Sequence, residues 1–505
     1  MKKILLLLAA FVAITASACT NFLVGKKASK NGECFISYSA DSWGMYGRLV
    51  HYPAGTHAPG TMRRIVDGDT HKYLGEIPEA PITYNVVGNI NEHQVAITET
   101  TFGGRHELAP KNPMGGIAYV SLMALGLQRA KTAREAIKVM TDLVARHGYS
   151  SEGESFSIAD PNEVWIMEMI GKGDEKKGAV WVAVRIPDDC ISAHANQSRI
   201  GHFNMKDKKN VLYSKNVISF ARSKEWFKGR DDEFNWKMTY ARPDFGGRRF
   251  CDARVWAFFN SFADGFSRYL PWAEGLDPNA EDMPLWIVPK HKLSVQDVQT
   301  AMRDHYEGTP LATDTLDIGG GIWQMPYRPS PLVYKVNGKV YFNERPVSTQ
   351  QTTFSYVSEM RSWLPREIGG VLWFGNDDGN MVPYTPIYCG NTIQPDCYNT
   401  PGVDAVTFSD RNAYWVCNWV SNMVYPRYSQ LFPTLREVRD SLDNSYQAQQ
   451  ADVEFHAQEL YNTDPTEAVK YLNAYSNRQA QQMLTAWKEL ATFLIVKYND
   501  MAVKP

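Results

Sequence analysis

The stretch ASACTNFLVG, residues 16–25, decides how the rest of the chain is read. Small residues end at Ala18, a cysteine follows, and an apolar run then reaches Val24 before Gly25. Upstream, Lys2 and Lys3 precede an apolar segment from Ile4 to Ile14. A positive start, an apolar core of this length and small residues at −3 and −1 are the layout of a secretory leader, here residues 1–18. The apolar segment falls short of the roughly 20 residues that a membrane span needs. Cleavage after Ala18 makes Cys19 the first residue of the mature chain, with nucleophile and general base on one residue. An unperturbed α-amine titrates near ~8 and a thiol near ~8.5, so a proton passes between them at little cost. On the leader alone two other readings compete. One is a non-catalytic surface lipoprotein acylated at Cys19, weakened because Ala16 stands where a lipobox prefers a larger aliphatic residue. The other is a cysteine bound for a disulfide.

Hydrophobic residues make up 44% and charged residues 21%, a balance that suits a large core. A net charge of −2 and a pI near 6.6 supply no basic field for nucleic acid or an anionic membrane. Past the leader no apolar run has membrane-spanning length. An exported protein is expected, periplasmic or extracellular, and lipid-anchored only if Cys19 is acylated. The seven cysteines are scattered. Cys389 and Cys397 are close enough to close a short loop, but buried free thiols are expected for most. No CxxC, HExxH or His pair at helical spacing occurs among the 11 histidines, so neither metal nor cofactor is expected.

Thr20 to Val50 reads as two strands joined at Asn31-Gly32, with Cys19 at the start of the first. Ile82 to Arg105 reads as a hairpin-like pair turning near Asn91-Glu92. Thr132 and Glu135 form a capping box for a helix whose face carries Ala136, Ile137, Val139, Met140, Leu143 and Val144 before Gly148. EVWIMEMIGKG and AVWVAVRIPDD form a further pair of strands. Hairpins that bracket helices favour an α+β sheet sandwich over a βαβ pattern. A helix is predicted from Ser294 to about Glu307-Gly308, and a loop from Asp317 to Pro331. The tail is helical, with Asp464-Pro465-Thr466-Glu467 as a cap and Val469, Leu472, Met483, Trp487, Leu490 and Leu494 as a stripe.

The segment from Cys19 to Gly25, Asp41 in ISYSADSWG, NINEHQVAITETTFGG, RAKTAREAIKVM, ADPNEVWIMEM and AHANQSRI together resemble the C69 dipeptidases. These are cysteine N-terminal nucleophile hydrolases related to bile acid hydrolases and penicillin V acylases. The resemblance implies an αββα sandwich with a helical C-terminal extension. It divides the chain into the leader (1–18), a catalytic domain (19–430, with insertions in about 205–350) and a helical segment (431–505). It also implies hydrolysis of dipeptides through a thioester acyl-enzyme. Bile acid conjugates or N-acyl amino acids are the alternative substrates, with the same chemistry and a larger apolar pocket. Position by position, Cys19 matches the nucleophile and Asp41 the aspartate that orients the α-amine. Asn196 matches the side-chain donor to the oxyanion. Thr101 falls where related acylases carry an asparagine, so its N–H is the second candidate donor. Arg254 falls near an arginine of those acylases and is the candidate partner for a substrate carboxylate. Tyr38 stands where many relatives have arginine, three residues before Asp41, which points to a different substrate preference. His194, beside Asn196, is discounted as a base because the α-amine makes an imidazole redundant. A homo-oligomer is compatible with this reading.

Overall fold

The computed structural model describes residues 18–68, 70–174, 177–314, 320–328 and 331–504. The expected leader before Ala18, and residues 317–319 and 329–330 of the expected loop, lie outside the described residues. In chain order the principal elements begin with β1 (Ala18–Val24), β2 (Cys34–Asp41), β3 (Ala96–Gly103), α1 (Tyr119–Arg129) and α2 (Ala133–His147). There follow β4 (Gly153–Ala159), β5 (Val164–Gly171), β6 (Ala179–Ile186), β7 (Ile191–His194) and α3 (Ala253–Phe262). The last are β8 (Thr352–Met360), β9 (Gly370–Asn376), β10 (Thr385–Tyr388), α4 (Tyr428–Thr463) and α5 (Pro465–Tyr498).

Among the described residues, one seven-stranded sheet runs β7-β1-β2-β8-β9-β10 from an edge strand at Trp286–Ile287. A second, eight-stranded sheet carries β6-β5-β4-β3 in sequence, each pair antiparallel. The class is α+β. Strand β5 shows why two sheets stack. Its residues are buried on both faces, yet they alternate between two environments. Trp165, Met167 and Met169 pack with Ile137, Met140 and Leu143 of α2, while Val164, Ile166 and Ile170 face the core shared with β1. On the far side of the seven-stranded sheet Phe22 of β1 stacks on Phe258 of α3, with ring centroids 4.0 Å apart.

A polar joint ties the sheets together beneath the start of β1. Asn21 Nδ2 donates to Thr98 Oγ1 of β3 at 2.7 Å, and His194 of β7 lies 2.7 Å from the hydroxyls of both Thr100 and Ser157. Burial pushes the His194 imidazole down to about 3.

The first hairpin forms as expected. The stretch from Ile82 instead breaks into short strands at Ile82–Thr83, Val86–Val87 and Ile90–Asn91 before β3, because Gly88 and the Asn91–Gln94 turn interrupt it. Helix α2 is capped by Thr132 Oγ1, which accepts the Glu135 N–H, but the return arm of Glu135 reaches the N–H of Lys131 instead of Thr132. The helix from Ser294 is shorter than expected, Val295–Ala301. The helical tail starts at Tyr428, slightly before residue 431, and Leu435, Tyr446, Leu472 and Trp487 join the same core as the seven-stranded sheet. All seven cysteines are free thiols. None of the described helices is long and apolar enough to cross a membrane.

Candidate active site

Strands β1 and β2 pair with Ala18 opposite Asp41 and Cys19 opposite Ala40. The two-residue period turns Cys19 and Asn21 toward the second sheet and Thr20 and Phe22 toward α3. Past the end of β7 the chain turns at Asn196, whose φ of 61° lies in the left-handed region that Asn enters more readily than most residues. Glu168 of β5 holds the continuation of this turn. Its buried carboxylate accepts the Ser198 hydroxyl, the Arg199 N–H at 2.5 Å and the Ile200 N–H at 3.1 Å. Burial raises that carboxyl, and those donors oppose the rise.

Three groups of Cys19 are held from three directions. Its N–H donates to Asn196 Oδ1 at 2.8 Å, and its carbonyl accepts from Arg254 Nη1 at 2.8 Å. Its Sγ lies 3.6 Å from both the Tyr38 hydroxyl and Glu99 Oε1. Asn196 Oδ1 also accepts from Arg254 Nη2 at 3.0 Å, while its Nδ2 donates to the Thr101 carbonyl at 2.9 Å. Two donors on one side and a carbonyl on the other fix the orientation of the amide.

Arg254, fully buried on α3, binds with each of its five N–H groups: to the Phe250, Cys19 and Ala195 carbonyls, to Thr20 Oγ1 and to Asn196 Oδ1. It clamps the start of β1 to the turn after β7. With every donor engaged, it is not the partner of a substrate carboxylate, which corrects that expectation. Asp41 is also fully buried, and its oxygens accept from Arg345 Nη2 at 3.0 Å and Thr352 Oγ1 at 2.7 Å. Burial pushes its carboxyl up, and Arg345 and the Thr352 hydroxyl pull it back. In the continuous chain, then, Asn196 holds the Cys19 nitrogen, while Asp41 lies opposite the preceding residue. Thr101 offers its carbonyl to Asn196 and donates its hydroxyl to Glu154 at 2.9 Å. Both nitrogens of His194 face hydroxyls in the joint between the sheets.

Burial pushes the Cys19 thiol well above the ordinary range. The charges of Glu99 and Asp41 add to the rise, against the Asp41 backbone N–H and the Tyr38 hydroxyl. The resting sulfur is therefore a thiol at neutral pH, and attack requires a proton acceptor. Sequence reasoning missed Glu99, Arg345 and Thr352. Glu99 left one trace, an acid inside the strand AITETTFG, where an acidic side chain is costly to bury unless it has a role. Arg345 left none.

Tyr38 also lines a cavity of about 530 Å³, together with Tyr46, Arg48, Arg64, Tyr119 and Tyr356. A second cavity, of about 550 Å³, is lined by Arg199, Phe203, Asp282 and Trp286 and includes none of the residues around the Cys19 sulfur. Among the described residues no three His, Cys, Asp or Glu side chains converge as a metal site.

Comparison with known proteins places this geometry in a context. The model for Peptidase family C69 matches residues 47–441, which include Thr101, Asn196 and Arg254 but begin after Cys19 and Asp41. A probable dipeptidase of Latilactobacillus sakei is 27% identical over 434 residues, covering 82% of each chain. A probable dipeptidase of Salmonella dublin is 26% identical over 427 residues, 79% of this chain and 88% of that one. Probable dipeptidase B of Streptococcus pyogenes serotype M1 is 22% identical over 503 residues, 95% of this chain and 93% of its own.

Proposed function

The chain belongs to peptidase family C69, and from that premise we propose that it is an exported dipeptidase whose nucleophile is Cys19, made amino-terminal by loss of residues 1–18. Residues 19–430 form the catalytic unit, an N-terminal nucleophile hydrolase of the αββα type, and 431–505 a helical extension. The observation that carries the reading is the grip on Cys19, whose nitrogen, carbonyl and sulfur each have a partner from a different element.

In the proposed reaction the α-amine of Cys19, held by Asn196 Oδ1 and lying beside Asp41, takes the thiol proton. The sulfur attacks the scissile carbonyl, and the amine returns the proton to the leaving amino group. A water activated by the same amine then releases the thioester. An amide NH₂ has two hydrogens. The Thr101 carbonyl takes one from Asn196, and the other, with the Thr101 N–H, serves the oxyanion. Arg254 keeps these parts in register. The cavity beside Tyr38 is of ligand-binding size, and Arg48 and Arg64 on its wall take the carboxylate of a dipeptide.

The test is a pair of proteins, one beginning at Cys19 and one beginning Met-Cys19 with the methionine retained. The first should hydrolyse dipeptides and the second should fold but be nearly inactive. Equal activity in both would refute the α-amine mechanism. Faster hydrolysis of bile acid conjugates or penicillin V than of every dipeptide tried would replace the dipeptidase reading with an acylase.

A further inference from the structure

A carboxylate stands beside the sulfur that must become an anion. Glu99 Oε1 lies 3.6 Å from Cys19 Sγ and accepts the Tyr38 hydroxyl at 2.6 Å. By charge alone this placement opposes catalysis, since a negative neighbour disfavours the thiolate. The geometry becomes useful if the substrate brings a cation. In a near-attack arrangement the scissile carbonyl carbon sits about 3–3.5 Å from the sulfur. In a peptide the α-nitrogen is only about 2.5 Å from its own carbonyl carbon, from standard bond lengths and angles. A dipeptide whose carbonyl reaches Sγ on the side facing Glu99 therefore brings its α-ammonium into hydrogen-bonding range of that carboxylate. Tyr38 forms the boundary, because it lines the cavity and its hydroxyl lies 3.6 Å from Sγ and 2.6 Å from Glu99 Oε1.

We propose that Glu99, positioned by Tyr38, is the subsite for the free α-ammonium of the substrate. The proposal deepens the dipeptidase reading and rests on it. It gives the site two properties. Substrates with a blocked or missing α-amine are poor, which separates dipeptides from N-acyl amino acids. Substrate binding also removes the repulsion between Glu99 and the developing thiolate, so the nucleophile is activated when the correct substrate arrives. No proton is transferred in this binding step: the ammonium donates a hydrogen bond to Glu99, and the thiol proton still goes to the Cys19 α-amine.

The experiment compares alanyl-alanine with propionyl-alanine, which lacks only the amine and is smaller, so that rejection cannot be steric. Phenylalanyl-alanine with 3-phenylpropionyl-alanine serves as a second pair. Hydrogen bonds to charged groups are the strong ones, and wild-type kcat/KM should favour the amine-bearing member by about 10–10²-fold. Glu99→Gln should shrink that ratio by about 10–10²-fold, Tyr38→Phe should shrink it less, and Glu99→Asp should restore part of it. Wild-type ratios within tenfold of unity would overturn the proposal without any variant, so it does not depend on Glu99→Gln folding. An equal loss on both members in Glu99→Gln would also overturn it, assigning Glu99 to the thiol instead. Those two outcomes leave the dipeptidase reading standing. Failure of the wild type to cleave any dipeptide removes both.

Discussion

Asn196 allows backbone strain and chemistry to be separated at one position. Its side chain makes three hydrogen bonds, to the Cys19 N–H, Arg254 Nη2 and the Thr101 carbonyl, and its backbone is left-handed at φ 61°. Asn196→Ala and Asn196→Gly remove the same side chain. They differ in backbone cost, since a left-handed residue bearing a Cβ loses about 1–2 kcal/mol that glycine does not. Glycine returns about 0.5–1 kcal/mol of this through the freedom of its unfolded chain. The Gly variant should therefore be more stable than the Ala variant by up to about 1.5 kcal/mol in chemical denaturation. Loss of an oxyanion donor should lower kcat by about 10²–10³, which is about 2.7–4 kcal/mol, and equally in both variants. KM should change less, because such a donor acts mainly in the transition state. The assay is release of free amino acid from a saturating dipeptide at one pH, with denaturation curves on the same preparations. A Gly variant within tenfold of wild type would exclude the side chain from the reaction. Activities that follow the stabilities of the two variants would show that the loss is structural.

Asp41→Asn should cost about 3–5 kcal/mol of stability, because it leaves the buried Arg345 without its carboxylate. A negative charge near an ammonium raises its pKa, so the acidic limb of the pH–rate profile should also move to lower pH; a profile that overlays wild type makes Asp41 purely structural. Burial pushes Asp377 up to about 7, although Asn418 and Ser421 donate to it. The folded state therefore keeps a proton there that the unfolded chain gives up near ~3.9. The stability contributed by that proton is complete below about 4 and is lost as pH rises through about 7. The stability of Asp377→Asn minus that of wild type should accordingly grow between pH 4 and 8, and a difference that stays flat would refute the assignment.

The parts of the molecule that were legible in sequence are those encoded locally. β1, β2 and α2 carry their alternation, their cap and their apolar face within a few residues, and α5 shows its stripe because one side meets water. Helix α1, YVSLMALGLQR, gives no such sign, since it has no side-chain cap and is buried along most of its length. Cys19, Asp41, Asn196 and Arg254 stand out as candidates because a motif marks each of them. Their roles were harder to read, because a role depends on partners the chain supplies from far away. Asp41 meets Arg345 at a separation of 304 residues, and Cys19 meets Asn196 at a separation of 177. Nothing in the local sequence around Arg345 announces that encounter. Glu99 was visible only as an acid in an otherwise buried strand, which marks a role without naming it.

The joint of His194, Thr100 and Ser157 contributes to how the molecule meets acid. Its imidazole stays neutral in the fold down to about 3, whereas the unfolded chain protonates near ~6.5. Stability from this group is complete above about 6.5 and drains away as pH falls toward 3. The molecules that remain folded on mild acidification keep the imidazole neutral and its contacts to both hydroxyls. What falls is the number of such molecules. Between neutrality and pH 4 this joint therefore lowers the folded fraction, while the imidazole that spans the two sheets stays neutral in the molecules that remain folded.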